Sequence, residues 1–134
     1  EVPYQKKKFD EPLRERREYA VADEDDDAGV MVRISWLLND VELDPMTELA
    51  LLVLDDLLLG SPTAVLRKAL LDSGLGEEVI DDGLETELIQ SIYSVGMKGV
   101  QDEGDAAEVE KLIMDVLNNV SRDGFDEDDV EASA

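Results

Sequence analysis

Carboxylates are the most abundant side chains that could do chemistry in this 134-residue chain, which carries 35 Asp and Glu against 12 Lys and Arg. The sequence contains no histidine and no cysteine. Histidine is a common general base and zinc ligand, and the cysteine thiolate is a nucleophile and a metal ligand. Zincin, Ser-His-Asp and Cys-His mechanisms therefore cannot be completed within these residues. Because acids occur throughout and no spacing singles out a pair, we predict no catalytic, cofactor-binding or metal-binding residue.

Clustered carboxylates could instead hold calcium, which takes oxygen ligands from a loop of fixed spacing. Residues 23–29, DEDDDAG, resemble half of such a loop, but Ala28 stands where the turn glycine belongs and Ile34 where a bidentate Glu belongs. Residues 123–131, DGFDEDDVE, depart from the pattern in a similar way. A solvated acidic surface is the preferred interpretation, with an acidic divalent-ion or protein-interaction module as an alternative.

The formal net charge of -23 limits the partners that the chain can attract. A field of this sign repels phosphate backbones and anionic lipid headgroups within about a Debye length, so we expect neither nucleic acid nor a membrane as a partner. The basic stretch Lys6–Lys8 is interleaved with acids and two prolines in residues 1–18. We interpret residues 1–18 as a linker or extended arm.

The stretch from Leu57 to Gly76 shows how the glycines delimit the elements. Gly60 fits the left-handed position after a helix, Ser61-Pro62 is typical of the start of a second helix, and Gly74 is typical of its end. A phosphate loop is excluded because the G-x-x-x-x-G-K-[ST] pattern is absent. We therefore predict a helix end, a tight corner, a second helix and its stop.

Alternating apolar residues predict strands over residues 30–38 and 93–100. Gly96 and Gly99 interrupt the second strand, which indicates a bulge or the close approach of another backbone. Two weaker segments complete the extended elements: an edge strand over 19–21 and a short irregular or extended link over 77–84.

Helical spacing begins after acidic residues that can accept hydrogen bonds from the free N–H groups of a helix start. Three starts follow: Asp44 before Pro45, Asp105 with Glu108 at a helix from Ala106 to Gly124, and Asp126 before a last helix. The helix after Asp44 is apolar almost all round, so we expect it to be buried on more than one side.

Four segments together resemble the presequence proteases, a family of organellar zinc peptidases in the pitrilysin and insulin-degrading group. They read VRISWLL, DPMTELALLVLDDLLLGSPTAVLRKALLDSGLGE, GLETELIQSIYSVGMKGV and VEKLIMDVLNNVSRDGFDEDDVEAS. The resemblance runs from Pro12 to the C-terminus. Its most specific parts are LLLGSPTAVLRKALLDSGLGE and GMKGV, because several glycines and a proline must coincide in position.

The resemblance implies a fold and a position in a parent protein. The family carries its zinc on an inverted H-x-x-E-H helix of its first domain, and none of that motif is present in this chain. The segment resembles instead the opening of the non-catalytic second domain of the N-terminal half. The implied fold is α+β with two layers, a mostly antiparallel sheet with helices packed on one face. Residues 19–134 would be the N-terminal part of that domain, truncated at its C-terminus.

The resemblance also implies a function. The parent would use zinc to degrade cleaved targeting peptides and other short unfolded peptides in the chloroplast stroma, the mitochondrial matrix or both. This chain would be a non-catalytic chamber wall without a cofactor of its own, and its partners would be the remaining domains and basic unfolded peptides. A catalytically inactive structural subunit of the same superfamily is the alternative, and an upstream H-x-x-E-H motif would discriminate between the two.

Two expectations concern the isolated chain. Zinc could find only carboxylates, so we predict no tight zinc site and no cleavage of a basic peptide. The stretch 46–59 and the apolar face of the helix after residue 106 are too broad for one sheet face to cover completely. An apolar patch should therefore stay exposed, and we predict that the isolated chain self-associates or is only marginally stable.

Overall fold

The computed structural model describes residue 5 and the ranges 10–19, 29–87 and 89–133. The described part contains three strands and four helices, in the order β1 (Val30–Leu37), α1 (Pro45–Leu59), α2 (Val65–Ser73), β2 (Glu78–Glu85), β3 (Ile92–Val100), α3 (Glu103–Asp123) and α4 (Glu127–Ser133). Among these helices, none is long and apolar enough to cross a membrane.

The three strands form one antiparallel sheet in the order β1-β3-β2. Side chains of β1 alternate between half-buried and exposed along its whole length, because successive residues of a strand point to opposite faces. Helix α3 packs on β1 and β3, and α1 and α2 pack on β2. One buried cluster joins the helices to the sheet, so they cover the same face. The predicted α+β fold, two layers with helices on one face of an antiparallel sheet, is confirmed.

The core lies between this face and the helices, and β3 contributes most of it from the sheet side. Its fully buried apolar side chains are Val95, Met97 and Val100 of β3, Leu66 and Leu70 of α2, and Val109 and Ile113 of α3. Burying one such side chain completely contributes roughly 1.5–3 kcal/mol. The helices are therefore held on the sheet mainly by aliphatic contacts.

Two register shifts bend the sheet, one on each side of β3. Pairing with β1 shifts between Val30 and Val32, opposite Gly99, which has a φ of 65°. Pairing with β2 shifts between Ile80 and Gly83, which has a φ of 60°. Only glycine adopts this backbone region without strain. The bulge indicated by Gly99 is confirmed, whereas the bulge at Gly83 was not predicted from the sequence.

The corner between α1 and α2 differs from its prediction. Gly60 has a right-handed φ of -71°, and α2 begins at Val65 with Ala64 as its N-cap. The Ala64 N–H donates to the Ser61 carbonyl at 3.0 Å, so Ser61-Pro62 opens a separate turn. Proline is favoured at the second position of such turns as well as at helix starts, which is why the prediction was wrong. Gly74 ends α2 in the left-handed conformation, as predicted.

Residues 77–84 are more regular than the predicted irregular or extended link. Most of them belong to β2, which pairs antiparallel with β3 over residues 78–80 and 83–85. Asp81 and Asp82 fall in the register shift, where one extra residue breaks the alternation. The bulge therefore hid the strand from a search for period-two patterning.

Helix α3 begins at Glu103, three residues before the predicted start at Ala106. Its N-cap is Asp102 rather than Asp105, since the Asp102 carboxylate accepts a hydrogen bond of 2.8 Å from the Asp105 N–H. The predicted end at Gly124 is confirmed, and the Gly124 N–H donates to the last turn of the helix. The two acids stand three residues apart, so spacing alone did not decide which one is the cap.

The other helix starts agree with the sequence. Asp44 accepts a hydrogen bond of 2.9 Å from the Thr47 N–H, with Pro45 in the first turn. Asp126 likewise accepts from the Asp128 N–H at 2.9 Å before α4. Of the predicted edge strand, residues 20 and 21 lie outside the described residues, as do the acidic run 23–27 and the lysines 6–8.

Candidate functional site

The face of the sheet opposite the helices is the candidate site, and we call it the open face. Paired residues of neighbouring strands share a face. The register therefore places on it Met31, Arg33 and Ser35 of β1, Glu78 and Ile80 of β2, and Ser94, Gly96 and Lys98 of β3. No described helix packs on this face. Its residues on β1 and the outer residues Glu78 and Lys98 are exposed, whereas Ile80, Ser94 and Gly96 at its centre are buried.

Gly96 lies at the centre of the open face, paired with Arg33 on one side and Ile80 on the other. A Cβ atom at this position would clash with the carbonyl oxygen of Val32 and would lie 2.9 Å from the Arg33 Cα. The close backbone approach predicted from the sequence is therefore confirmed at this glycine. It leaves the middle of the open face without a side chain.

A shallow depression of about 240 Å³ lies at this face, partly lined by Met31 and Ile80. Arg33 and Asp82 form an ion pair of 3.0 Å at its rim, and each side chain is about half exposed, at 51% and 53%. Solvent screens such a pair, so it can exchange partners at little cost. Charges of both signs beside the exposed Met31 side chain suit reversible contact with a peptide better than bond-making chemistry.

The hydroxyls on the open face do not form a nucleophilic site. The Oγ atoms of Ser35 and Ser94 lie 2.8 Å apart and hydrogen-bond each other across β1 and β3. Ser94 is only 2% exposed, and the sequence has no histidine to act as the base of a serine nucleophile. The serine pair therefore joins the two strands.

Within the described ranges, no group of three or more acidic residues could hold a metal ion. The acidic run 23–27, which belongs to the half calcium loop of residues 23–29, lies outside those ranges. The expectation that the chain carries no metal site stays a prediction.

A second group of ionisable residues lies on the helix-covered side, where α1 meets β2 and β3. The Asp55 carboxylate accepts a hydrogen bond from the Leu84 N–H, and burial followed by the nearby charges of Asp56 and Asp81 raises its pKa above the ordinary value. The buried Tyr93 hydroxyl finds no hydrogen-bond partner among the described residues. Burial, and to a lesser degree Asp55, raises the pKa of Tyr93. The Asp55 contact thus ties α1 to the bulged strand.

Arg67 of α2 connects this helix to α1 and to β2. Its Nε donates to the Leu59 carbonyl at 2.8 Å, which satisfies one of the last carbonyls of α1. Its guanidinium also pairs with Asp81 of β2, and this hydrogen bond lowers the pKa of the Asp81 carboxyl. Sequence reasoning missed the Asp81 contact because it depends on the bulge in β2. It missed the Leu59 contact because Arg67 and Leu59 meet only across the folded corner between α1 and α2.

Apolar side chains three residues apart form an exposed row on α1. We call this row the α1 stripe: Met46, Leu49 and Leu52, which are 75%, 57% and 48% exposed. In the described structure, only Leu57–Leu59 of this helix are fully buried. The expectation that α1 is buried on more than one side is therefore wrong for this chain, whereas the predicted exposed apolar surface is present.

The whole chain, residues 1–134, matches the family described as peptidase M16 inactive domain. It is 47% identical over 128 residues to presequence protease 1, chloroplastic/mitochondrial, of Arabidopsis thaliana. It is 32% identical over 102 residues to the mitochondrial presequence protease of Mus musculus, and 30% identical over 130 residues to protein HypA of Clostridium perfringens. The resemblance inferred from the sequence is confirmed at the level of the family.

These matches differ greatly in how much of each protein they cover. They span 95%, 75% and 96% of this chain in the plant, mouse and bacterial proteins. They span only 12%, 10% and 13% of those proteins themselves. The chain therefore corresponds to a small part of its relatives' length.

Proposed function

Because the chain belongs to the peptidase M16 inactive-domain family, we propose that it forms part of the peptide chamber wall of a zinc metalloendopeptidase. The chain is a non-catalytic segment of that peptidase family, and the match over its whole length is the observation that carries the proposal. The open face is the surface that we assign to the chamber. It has no covering helix in the described structure and combines the exposed Met31 side chain with charged groups of both signs.

Zinc would belong to another part of the parent enzyme. The chain has no histidine and no cysteine, so it could offer zinc only carboxylates. Catalytic zinc sites use histidine or cysteine ligands in most enzymes, and the residues present therefore do not fit the metal. We derive no catalytic step through this chain.

We further propose that the substrates are cleaved targeting peptides and other short unfolded peptides. Targeting peptides of this kind are rich in arginine and poor in acids. A chain with a net charge of -23 would raise their local concentration by electrostatic attraction. The names of the plant and mouse relatives, which refer to presequences and to organelles, support the chloroplast stroma, the mitochondrial matrix or both as the location.

A photo-crosslinking experiment in the full-length parent tests the assignment of the open face. A photoreactive amino acid at Met31, which is 44% exposed on this face, should crosslink to a basic unfolded peptide. The same amino acid at Lys68 on α2, on the helix side, is the matched control and should crosslink much less. Equal labelling at both positions, or labelling at Lys68 alone, would overturn the chamber-wall assignment.

Further measurements separate the enzyme from its rivals. If the parent binds peptides at the open face but cleaves none, and lacks an upstream H-x-x-E-H motif, the inactive structural subunit is the correct alternative. The isolated chain should show no stoichiometric submicromolar zinc site in a chelator competition assay and should not cleave a basic peptide. Tight calcium binding in a titration would support the acidic ion-binding module.

A further inference from the structure

The described arm, residues 10–19, has no helix or strand, yet two arginines attach it to α3. The Arg14 guanidinium donates two hydrogen bonds to the Glu110 carboxylate, each of 2.7 Å. The Arg16 guanidinium lies 2.6 Å from a carboxylate oxygen of Glu103. Planar, two-point pairing of arginine with a carboxylate fixes orientation as well as distance. The arm therefore lies on α3 in a defined register.

The spacing of the two pairs follows from the geometry of a helix and of an extended chain. Glu103 and Glu110 are seven residues apart, so they lie on one side of α3 about 10.5 Å apart along its axis. Arg14 and Arg16 are separated by one residue, so an extended backbone places them on the same side about 7 Å apart. The long arginine side chains span the difference. Adjacent arginines would point to opposite sides of the arm and could not reach both carboxylates.

The pKa shifts of Arg14 and Glu110 are those expected for a close ion pair. The hydrogen bonds from Arg14, followed by its charge, lower the pKa of the Glu110 carboxyl. The same contact raises the pKa of Arg14. Arg17 provides the contrast within the arm, because it pairs with Glu15 of the arm itself at 3.1 Å. Two of the three arginines thus contact α3.

We propose that the side of α3 that carries Glu103 and Glu110 is a docking surface for extended peptides with two arginines separated by one residue. Residues 10–19 occupy this surface within the chain. A peptide of the same pattern, supplied from outside, displaces them. The inference concerns residues of this chain alone and holds whether or not the parent degrades targeting peptides.

The exposure of the pairs makes the arm displaceable. Arg14 and Arg16 are 69% and 84% exposed, and Glu103 is 62% exposed. Such pairs are weak and are screened by salt. Attachment of the arm to the same chain compensates, because it supplies a high effective concentration. The arm therefore stays docked at low salt, whereas high salt or a competing arginine peptide releases it.

Distance measurements between two spin labels test this inference in the full chain. The sequence contains no cysteine, so cysteines introduced by Leu13→Cys and Asn118→Cys can be labelled without competition. Low salt should give one narrow distance distribution, which broadens at high salt. The R14Q/R16Q variant should give a broad distribution at low salt as well. The R17Q variant is the matched control and should retain the narrow distribution.

A charge exchange separates docking from a folding defect. The E103R/E110R variant should release the arm, and its combination with R14E/R16E should restore the narrow distribution, because the same pairs form with reversed signs. All variants should keep the circular dichroism spectrum of the unmodified chain and a cooperative unfolding transition, and E103R/E110R should lower the unfolding midpoint only slightly because it places a cation in the first turn of α3. An arm that stays docked in R14Q/R16Q, or no recovery in the exchanged variant, would contradict the inference.

A competition experiment tests the spacing. An acid-free peptide containing Arg-Ala-Arg should release the arm at a severalfold lower concentration than a peptide of equal charge containing Arg-Arg. Equal potency of the two peptides would show that α3 attracts positive charge without reading the spacing. No release by either peptide, at concentrations where high salt does release the arm, would reject the docking surface.

Discussion

Helices α1 and α3 are both rich in apolar residues, yet this chain buries them very differently. In α3, Val109 and Ile113 are fully buried against the sheet, and Glu103 and Glu110 on an adjacent side of the helix pair with the arm. In α1, full burial is limited to Leu57–Leu59 at its C-terminal end, and the α1 stripe remains in solvent. The apolar side of α3 is thus covered by contacts within the chain, whereas α1 is covered only at its C-terminal end.

The difference shows that an apolar pattern predicts a helix more reliably than it predicts the partner of that helix. Helix α3 crosses β1 and the central strand β3, whereas α1 contacts β2 at the edge of the sheet. A helix at the edge has less sheet beneath it, so part of its apolar surface has no cover within the described chain. Exposed apolar surface of this kind marks contacts with other proteins or domains.

The largest expected effect concerns α3, whose apolar side is buried within the chain. Ile113→Ala should lower the free energy of unfolding by about 2–5 kcal/mol. Ile113 is 0% exposed, so removing its side-chain atoms leaves a cavity in the core. Urea unfolding followed by circular dichroism measures the loss. Met114→Ala, at the next position and 38% exposed, is the control and should cost much less. Equal losses in the two variants would mean that the core does not lie on the side of α3 that carries Ile113.

The next prediction concerns α1, whose apolar stripe is exposed. The isolated chain should self-associate through the α1 stripe, and more strongly at high salt, because salt screens the repulsion between molecules of net charge -23. The M46Q/L49Q/L52Q variant should sediment as a monomer at both salts, since glutamine keeps the helix propensity while removing apolar surface.

Leu71→Gln, on α2 and 50% exposed, is the matched control for this prediction and should leave association unchanged. A compact monomer of the unmodified chain at both salts, with a cooperative melt, would show that these residues complete their own core. In that case the exposure of the α1 stripe would have no consequence for assembly.

Local sequence patterns predicted β1, β3 and the start of α1, where the local signals do not conflict. The alternation in β1 and β3 gave both strands almost to their ends, and Asp44 with Pro45 gave the start of α1. Strand β2 was missed because its bulge breaks the alternation. The start of α3 was misplaced because Asp102 and Asp105 offer equivalent caps, and only the folded backbone selects between them.

The candidate site was predictable only where one residue carries the signal. Gly96 indicated a close backbone approach, and the structure confirms it. The Arg33–Asp82 pair depends on the register of β1 and β2, two strands that are far apart in sequence and are joined through β3. The attachment of the arm depends likewise on residues 14 and 110 meeting in the fold. No local spacing encodes these contacts.

A smaller effect is expected at the N-cap of α3. Asp102→Ala should lower the free energy of unfolding by about 1 kcal/mol, because the Asp105 N–H would lose its hydrogen-bond acceptor. Asp102→Asn keeps an acceptor at this position and should cost clearly less, as measured by thermal unfolding. If Asp105→Ala proved the more damaging change, the cap assigned from the sequence would be correct and the observed start of α3 would be wrong.

The smallest predicted effect is a gain of stability on the buried side of α1. Burial and neighbouring carboxylates raise the pKa of Asp55 above its ordinary value of 3.8, so its charged form is disfavoured in the folded chain. A group with a raised folded pKa contributes its full stability below the unfolded pKa and loses it as the pH rises through the folded pKa. Asp55→Asn should therefore raise the unfolding midpoint at neutral pH, because the amide oxygen can still accept from the Leu84 N–H without a charge.

The sign of this effect distinguishes Asp55 from its neighbour Asp81 in the same experiment. The advantage of D55N over the unmodified chain should shrink as the pH falls through the raised pKa of folded Asp55, and it should be lost below the ordinary value of 3.8, where Asp55 is neutral in both the folded and the unfolded states. Asp81 has a lowered pKa because of Arg67, so its contribution is present above the unfolded pKa and is lost as the pH falls through the folded pKa. D81N should accordingly destabilise at neutral pH. Urea midpoints at several pH values measure both changes, and a loss of stability in D55N at neutral pH would show that the Asp55 charge holds α1 on β2 rather than opposing it.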